Sequence, residues 1–379
     1  MKAKVAGFTT SAFQRPEVNM NSPFNHDSGR EATRRHGETA GSGRPIEIVG
    51  GGVAGLSLGL ALRREGVPVT VYEAHDYPRH RVCGEFISGL EGATISRLGL
   101  DEFLSDAIPH RTVTYHLRGR ALRPFSLPAA ALGISRHTLD ARLARAFVGA
   151  GGVLRTHSRM EERDTPPGRV FAVGRRRNGR FWVGLKIHVR NLALAGDFEI
   201  HLGDHGYIGL SRVDGDTVNA CGIFSSRSLQ ERGADLLPAY LAAAGLEKLA
   251  GRLRLAEMDG SSFRVSAATL GDRHVPPTDR VRIGDACATI PAFTGNGLAM
   301  ALQGAEISVG PLRAYSEGRS GWAESSGAIA SAQQRRFRRR LLCASLLQPF
   351  FLEPGRQRML AALVRCRLMP FRAFYSALR

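Results

Sequence analysis

Long apolar runs are missing from this chain of 379 residues. No stretch of 18 or more consecutive apolar residues occurs, which excludes a helix that spans a membrane. The first residues also lack the short apolar core of a secretory signal peptide, so we expect no such leader. Hydrophobic residues still make up 43% of the sequence, enough for a sizeable core in two or three domains.

Cysteine is scarce and widely spaced. The five cysteines are Cys83, Cys221, Cys287, Cys343 and Cys366. No two of them form C-x-x-C, and no cysteine and histidine residues together have the spacing of a zinc site. We therefore predict no metal site and a reduced, cytoplasmic protein.

Acidic residues are nearly absent from the end of the chain. Residues 331–379 contain eleven arginines and one acid, Glu353, and hold more than half of the net charge of +18. Arginines interleaved with apolar residues favour two interpretations of the predicted helical tail. It would lie on an anionic membrane at the inner face, or it would cap the preceding domain with its arginines in solvent. No recognition motif accompanies the charge, so we expect no nucleic-acid partner.

Residues 46–73 have the pattern strand, glycine turn, helix, strand. Apolar and β-branched residues predict strands over Ile46–Val49 and Val69–Tyr72, and Val53–Arg64 is predicted as the helix between them. The glycines of the turn have the G-x-G-x-x-G spacing and are Gly50, Gly52 and Gly55. This order of elements predicts a unit that binds a dinucleotide. The alternative is a glycine-rich turn in another kind of α/β domain.

Each residue of this unit has a physical reason. Gly50 allows a tight turn, Gly52 lets a pyrophosphate approach the backbone, and Gly55 lets the helix pack closely on the sheet. The helix N-terminus offers free N–H groups to the phosphates. Glu73, 18 residues after Gly55, is placed to accept a hydrogen bond from a ribose 2′-OH and disfavours a 2′-phosphate. The unit therefore predicts the adenosine half of FAD or NAD.

The rest of the chain divides by composition and periodicity. Residues 1–44 are polar and without sustained periodicity, and are predicted as a disordered extension. Residues 151–264 alternate strongly and predict a β-rich substrate domain. Residues 45–150 and 265–318 are predicted to form one discontinuous cofactor domain, and residues 325–379 the basic helical tail.

Two later motifs agree with the first unit. The pattern R-x-x-L-D is carried by Arg136, Leu139 and Asp140. The pattern GD-x-x-x-x-x-P-x-x-x-G-x-G is carried by Gly284, Asp285, Pro291, Gly295 and Gly297. Over roughly residues 45–315 the chain resembles the FAD-dependent family that includes p-hydroxybenzoate hydroxylase, geranylgeranyl reductases and flavin-dependent halogenases. The resemblance implies an α/β (α+β) fold with a Rossmann-like FAD-binding domain, a parallel sheet and a β-rich substrate domain.

The resemblance also implies roles for these residues. Asp285 would accept hydrogen bonds from ribityl or ribose hydroxyls, and residues 295–297 would lie against the flavin ring. Arg136 would contact the pyrophosphate side. Read alone, Asp285 is equally a helix N-cap and Arg136 a surface salt-bridge partner. The predicted cofactor-binding residues are Gly50, Gly52, Val53, Ala54, Gly55, Glu73, Arg81, Cys83, Arg136, Gly284, Asp285, Pro291, Gly295, Asn296, Gly297 and Leu298.

The segment R-x-C-G-E at residues 81–85 most resembles the geranylgeranyl-reductase branch. Its Cys83 would tune or shield the flavin, or is a small cysteine packed under a loop. Glu85 is either a loop salt-bridge partner or part of the pocket. The chain departs from the family at residues 174–175, where Gly-Arg replaces the usual Asp-Gly, and in lacking the halogenase signature W-x-W-x-I-P.

Catalytic residues are hard to identify because a flavin carries most of its own chemistry. Alternation in the β-rich domain places Lys186 and His188 on one strand face, and His205 and Tyr207 on one face of another. Lys186, His188 and Tyr207 are candidates for activating a phenol or protonating a carbanion. The alternative is that they are solvent-facing polar residues of half-buried strands.

These observations predict an FAD-dependent oxidoreductase acting on a hydrophobic aromatic, polyketide or lipid-like substrate. The leading hypothesis is a monooxygenase that NAD(P)H reduces and that hydroxylates with O₂. A second hypothesis keeps the fold but reduces a C=C bond of an isoprenoid or lipid. A third, from another class, is a carrier of lipids or prenyl groups without redox chemistry.

Overall fold

The structure is a computed structural model. It describes residues 43–163, 165–175, 181–268, 270 and 280–379. The predicted disordered extension therefore lies outside the described residues, except for its last two positions.

The described residues form fourteen strands and ten α-helices. The strands are β1 (Ile46–Val49), β2 (Val69–Tyr72), β3 (Phe86–Ile87), β4 (Ile108–Leu117), β5 (Arg120–Ala121), β6 (Phe125–Gly133), β7 (Val153–Arg155), β8 (Arg169–Phe171), β9 (Trp182–Arg190), β10 (Phe198–Gly203), β11 (Gly206–Asp214), β12 (Thr217–Ser225), β13 (Glu257–Ala267) and β14 (Val281–Arg282). The helices are α1 (Val53–Arg64), α2 (Gly92–Leu98), α3 (Arg136–Gly149), α4 (Leu236–Ala243), α5 (Glu247–Leu255), α6 (Gly297–Ser316), α7 (Trp322–Leu347), α8 (Pro349–Leu352), α9 (Pro354–Arg365) and α10 (Phe371–Ala377).

A parallel sheet with the strand order β14-β8-β1-β2-β7 forms the cofactor side of the molecule. Three of the four residues of its central strand β1 are apolar and buried, as is typical of parallel sheets with both faces covered. Helix α1 packs against α3 and α6, and Leu56, Leu58 and Leu60 of α1 are at most 1% exposed. The strand–helix–strand prediction for residues 46–72 is confirmed residue by residue.

The second sheet has the order β13-β9-β12-β11-β10-β4-β6-β3, with β5 paired to β4. Its pairs are antiparallel except β10 with β4, which run parallel. Helices α4 and α5 cover one face, which we call the outer face, over the apolar residues of β9, β11 and β12. The tail helices α8 and α9 contact the other, inner face.

The two sheets do not follow the domain boundary predicted at residue 150. Strands β7 and β8 lie beyond it in the chain but join the parallel sheet, because each pairs in parallel beside β2 or β1. Strands β3 to β6 lie before it but belong to the second sheet. The chain crosses between the two layers several times, and the division into domains stays a prediction.

The basic tail packs on the protein through its apolar residues. Phe351, Leu360 and Val364 are at most 6% exposed and belong to the core on the inner sheet face. The ring of Phe351 stacks on Phe293 with centroids 3.9 Å apart. These contacts favour the cap interpretation of the tail. In the described part of the chain no helix is long and apolar enough to cross a membrane.

Candidate cofactor and active site

The glycine turn after β1 is shaped by close backbone contacts. Gly50 has φ +110°, and a Cβ there would lie 2.3 Å from the Ala172 carbonyl oxygen. A Cβ on Gly55 would lie 2.0 Å from the Gly50 carbonyl oxygen. Both positions therefore require glycine. At Gly52 the nearest atom to an added Cβ is Nη2 of Arg136, at 3.6 Å, so the backbone there stays open to a ligand.

Glu73 closes the turn at the end of β2. Its Oε2 accepts a hydrogen bond from the Gly51 N–H at 3.0 Å and lies 3.3 Å from Nη2 of Arg81. Tyr77 donates its hydroxyl hydrogen to the Gly51 carbonyl. Burial and the negative charge of Glu73 raise the pKa of Tyr77, so the phenol remains a donor. Sequence reasoning missed Tyr77, which belongs to none of the three motifs.

Arg136 begins α3 and is 9% exposed. Its Nε and Nη2 donate to the two carboxylate oxygens of Asp140, each at 2.7 Å. Burial opposes the charge, but Asp140 raises the pKa of the guanidinium above its ordinary value. Arg81 lies 3.3 Å from Asp140 and links this pair to Glu73. The interpretation of Arg136 as a surface salt bridge is therefore wrong.

The motif that begins at Gly284 returns to the glycine turn. A Cβ on Gly284, which has φ +61°, would lie 3.1 Å from Cβ of Ala54 in α1. Asp285 follows in a short 3-10 turn, whereas Asn296 is the N-cap residue of α6. The N-cap interpretation of Asp285 is therefore wrong for that helix. Burial raises the pKa of Asp285, and the charges of Arg175, 3.8 Å away, and Arg136 oppose the rise.

The N-terminus of α6 is open. Among the described residues, apart from its chain neighbours and the backbone of α6, no atom lies within 4 Å of the position of a Cβ on Gly297. Gly295, with φ +65°, accepts a hydrogen bond from the Ser88 N–H at 3.0 Å and contacts the ring of Phe86. The remaining predicted cofactor residues have buried side chains, and they are Val53, Ala54, Pro291, Asn296 and Leu298.

These features fit an extended dinucleotide. Two helices, α1 and α6, begin with glycine-rich N-termini, which offer N–H groups and a partial positive charge to anionic groups. Glu73 and Asp285 supply carboxylates that suit sugar and ribityl hydroxyls, and Arg136 supplies a cation opposite Gly52. The three motifs, far apart in sequence, therefore belong to one connected region.

The loop of residues 79–88 joins this region to the second sheet. The carbonyl oxygens of Cys83 and Gly84 accept hydrogen bonds from Asn219 at 3.0 Å and from Ser211 at 3.2 Å. Burial raises the pKa of the Cys83 thiol, and the neighbouring Arg136 lowers it. This loop therefore has contacts with both ends of the candidate cofactor region and with the inner sheet face.

Glu85, at the end of that loop, is the centre of a buried charged cluster. It is fully buried and has φ +51°. Its Oε1 accepts from the Arg136 N–H at 3.0 Å and lies 3.5 Å from Nζ of Lys186, and Nε2 of His188 donates to Oε2 at 2.6 Å. Burial alone would raise the pKa of Glu85, but His188 and Lys186 bring it below the ordinary value.

Two more histidines extend this cluster. Nζ of Lys186 donates to Nδ1 of His80 at 3.1 Å, and the His80 ring stacks on His137 with centroids 4.3 Å apart. Burial and the charge of Lys186 lower the pKa of His80 to about 4, so its imidazole is neutral. Burial also lowers the pKa of Lys186. We call His80, Glu85, His137, Lys186 and His188 the inner cluster.

The prediction that Lys186 and His188 share a strand face is confirmed, but the solvent-facing interpretation is wrong because Lys186 is 0% and His188 7% exposed. Tyr207 is buried against Phe351 rather than in the inner cluster, and burial raises its pKa. His205 is exposed with φ +54° in the turn before β11. Alternation predicted that His205 and Tyr207 share a strand face, and this prediction is wrong because His205 lies outside the strand.

Comparisons with known proteins agree with this architecture. Residues 48–82 match the NAD(P)-binding Rossmann-like domain family. The p-nitrophenol 4-monooxygenase PnpA of Pseudomonas putida DLL-E4 has a similar structure, with a TM-score of 0.70, 14% identity, and coverage of 88% of this chain and 97% of that chain. The chain has the Rossmann-like FAD-binding fold. No curated protein matches it in sequence.

Two further solved structures that are similar to this chain belong to proteins described by different activities. HpxO of Klebsiella pneumoniae, complexed with FAD and uric acid, has a TM-score of 0.69, 16% identity, and coverage of 88% of this chain and 95% of that chain. A geranylgeranyl bacteriochlorophyll reductase-like protein of Thermoplasma acidophilum has a TM-score of 0.66, 15% identity, and the same coverages. The predicted fold class and the resemblance are confirmed at the level of the fold.

Proposed function

We propose that this chain is an FAD-dependent oxidoreductase. The observation that carries the proposal is the contact of Gly284 with Ala54 at the start of α1, which joins motifs more than 200 residues apart in sequence. A glycine-rich turn of unrelated purpose would not need a second carboxylate and a second open helix N-terminus beside it. FAD, when bound, would supply the redox chemistry.

The chain's own residues would hold and orient that cofactor. The N–H groups after Gly52 and the guanidinium of Arg136 would bind the pyrophosphate, and Glu73 would accept from the ribose. Asp285 would accept from the ribityl hydroxyls, and the N-terminus of α6 at Gly297 would stabilise negative charge on the reduced ring. Arg81 and Cys83 would border the cofactor through their contacts with Glu73 and Arg136.

The visible spectrum of the purified protein tests this proposal. We expect flavin absorbance, or its recovery when FAD is added. Glu73→Gln should lower FAD affinity about tenfold, because a charged acceptor becomes a neutral one. Glu47→Gln is the matched control, since Glu47 lies on the same sheet but pairs with Arg169. A folded, colourless protein that cannot bind added FAD would contradict the proposal.

For the reaction, we propose an NAD(P)H-dependent monooxygenase of a hydrophobic aromatic, polyketide or lipid-like substrate. Aromatic rings pack beside the inner sheet face and the Gly284 motif, with Phe351 stacked on Phe293 and tilted toward Tyr115 at 6.2 Å. An apolar, aromatic surrounding of this kind favours a flat apolar substrate. The inner cluster would move protons, because Lys186, whose pKa is lowered, lies between the Glu85 carboxylate and the neutral His80.

Reduction of a C=C bond is the second candidate, and the placement of Cys83 against Arg136 beside the cofactor region favours it. Oxygen uptake distinguishes the two reactions. A monooxygenase consumes O₂ in proportion to substrate and stops without it, whereas a reductase turns over fully under anaerobic conditions. The third hypothesis, a carrier without redox chemistry, gains no support from a chain that keeps the glycines, Glu73 and Asp285.

We keep peripheral membrane contact as a proposal for the tail. Leu346 and Leu368 are 74% and 68% exposed among arginines, which suits a shallow contact with anionic lipid. Sedimentation with vesicles that contain phosphatidylserine should weaken in the double variant Leu346→Gln/Leu368→Gln and persist in Leu255→Gln, an exposed leucine outside the tail. Equal sedimentation of both variants would contradict the proposal.

A further inference from the structure

A second group of buried titratable residues lies on the outer face of the nine-stranded sheet. It consists of His116 on β4 and of Glu199 and His201 on β10, which we call the outer cluster. The residues are 7%, 0% and 2% exposed. His201 lies directly opposite His116 in the parallel register, and Glu199 is two residues before His201, so all three side chains share one face.

The outer cluster contains buried polar atoms without partners. Nε2 of His201 lies 2.7 Å from Oε2 of Glu199, but Nδ1 of His201 and Nε2 of His116 have no hydrogen-bond partner among the described residues. The two imidazoles stack with centroids 4.1 Å apart. Buried polar nitrogens without partners are costly, and an ion bound beside Glu199 would give Nε2 of His116 a partner.

We propose that His116, Glu199 and His201 bind one divalent cation of the zinc class. One ligand atom from each residue lies within 4.8 Å of the other two. Around a tetrahedral zinc ion with bonds near 2.1 Å, donor atoms are about 3.4 Å apart. The distances from Glu199 Oε2 to His201 and His116, 2.7 Å and 3.9 Å, lie on either side of that value, and the stacked rings would turn their planes toward the ion on binding.

The chemistry of the donors agrees with this geometry. An imidazole nitrogen of His201 already faces a carboxylate oxygen of Glu199, and Nε2 of His116 has no partner among the described residues. Two neutral imidazoles and one carboxylate are ligands that Zn²⁺ prefers, with a fourth position left for water.

The neighbours of Glu199 supply both support and competition. The Ala195 N–H donates to Oε1, which orients the carboxylate as hydrogen bonds around metal ligands do. Nη1 of Arg252 lies 3.5 Å from Oε2, with 37% of its side chain exposed. A bound cation would repel this guanidinium, which is partly exposed and also donates from Nη2 to the Ala193 carbonyl. Removing its charge should therefore strengthen metal binding.

The site would join two strands that are far apart in sequence. β4 and β10 are neighbours in the sheet although about 80 residues separate them, and a metal ion bridging His116 to Glu199 would hold them together. Zinc spacing is not visible in the sequence because the ligands meet only through strand pairing. The site does not depend on bound FAD, and its test is independent of the proposed function.

Calorimetric titration of the chelator-treated full chain with Zn²⁺ tests the proposal, with Co²⁺ absorption as a spectroscopic probe of coordination. We expect one equivalent to bind, a rise in Tm on binding, and a loss of affinity of about 100-fold or more in His116→Gln and His201→Gln. His205→Gln, in the exposed turn beside β10, is the matched control. His80→Gln tests whether the inner cluster is the metal's true location.

Three outcomes would overturn the proposal: no binding, binding that survives in both His116→Gln and His201→Gln, or binding that is lost in His80→Gln. Arg252→Gln changes no ligand and keeps the test decisive if the histidine variants fail to fold. It should bind Zn²⁺ more tightly by about tenfold, because a nearby positive charge is removed. Unchanged affinity in this variant would count against a cation at Glu199.

Discussion

The inner and outer clusters have nearly the same composition but lie on opposite faces of one sheet. Each has a buried carboxylate, at least two histidines and one basic side chain. The strand register connects Lys186 through β12 and β11 to Ile200, on the inner face of β10. His201, the next residue, points to the outer face.

The two clusters differ in how their basic side chain, Lys186 in the inner cluster and Arg252 beside the outer cluster, is held. Lys186 is 0% exposed and lies between Glu85 and His80, so its charge stays beside the carboxylate. Arg252 is partly exposed and contacts Glu199 from the edge. The buried ammonium beside Glu85 excludes a metal ion and suits proton transfer. Arg252 is partly exposed and keeps a partner in the Ala193 carbonyl, so it can yield Oε2 of Glu199 to a metal ion. Burial of one side chain therefore separates two functions that composition alone does not.

The largest expected effect is on stability. Glu85→Ala leaves the Lys186 ammonium buried without its counter-charge, and we expect a loss of about 3–5 kcal/mol in the free energy of unfolding. Glu199→Ala lets Arg252 turn into water, so we expect only about 1–3 kcal/mol. Urea unfolding of metal-free protein near neutral pH measures both. Equal losses in the two variants would break the comparison.

The second prediction concerns turnover and depends on the proposed function. Lys186→Met should slow turnover about 100-fold at saturating substrate if the inner cluster moves a proton. His116→Gln should leave the rate unchanged because the outer cluster lies on the opposite face. Lys248→Met, on the exposed surface of α5, is the control for loss of a positive charge. A slow His116→Gln enzyme with normal FAD content would contradict the assignment.

The third prediction concerns pH. Burial lowers the pKa of His116 to about 4 from its ordinary 6.5, so the unfolded state takes up the proton first. Stability of metal-free protein should fall as the pH drops from about 6.5 to 4, by up to about 1.4 kcal/mol per pH unit. His116→Phe should flatten this slope. His80→Phe should flatten it less, because His80 is only half-buried and solvent screens its charge.

Glu199 titrates in a lower window. Its pKa of about 2 in the folded protein lies below the ordinary 4.5, so the stability it contributes is present above pH 4.5 and is lost as the pH falls toward 2. In Glu199→Gln the slope between pH 6.5 and 4 should therefore persist, while the slope below pH 4 becomes shallower. If Glu199→Gln instead lost only the slope between pH 6.5 and 4, the titration in that range would belong to Glu199 rather than to the histidine, and the prediction would be contradicted.

Sequence reasoning succeeded where structure is local. Gly50, Gly52, Gly55 and the strands around them lie within 28 consecutive residues, and each signals its conformation through its own neighbours. The Gly284 motif could be joined to them only through the resemblance, since no local pattern shows that Gly284 contacts Ala54. Periodicity also placed Lys186 and His188 on one strand face, but it failed for His205, which lies in a turn rather than in the strand of Tyr207.

The clusters could not be predicted because they depend on pairing. Glu85 lies about 100 residues before Lys186 and has φ +51°, which no local pattern in the sequence predicts. Glu199 and His201 show strand spacing, but His116 joins them only through the parallel β4–β10 pair. The surroundings of the basic tail could not be predicted for the same reason, since they depend on contacts with residues far away in sequence. Its interleaved arginines fit a membrane or a protein surface equally well until Phe351 and Leu360 are located.

The smallest expected effect comes from a neutral hydrogen bond, which sets a scale for the two charged clusters. Tyr77→Phe removes the hydroxyl that donates to the Gly51 carbonyl, and we expect a loss of about 1 kcal/mol. Because burial and Glu73 raise the pKa of Tyr77, this loss should stay constant between pH 5 and 9, unlike that at His116. Tyr72→Phe, whose half-buried hydroxyl lies 3.2 Å from Glu47, is the matched control and should cost less. A Tyr77→Phe loss as large as that of Glu85→Ala would mean that the glycine turn, rather than buried charge, controls stability on this side of the molecule.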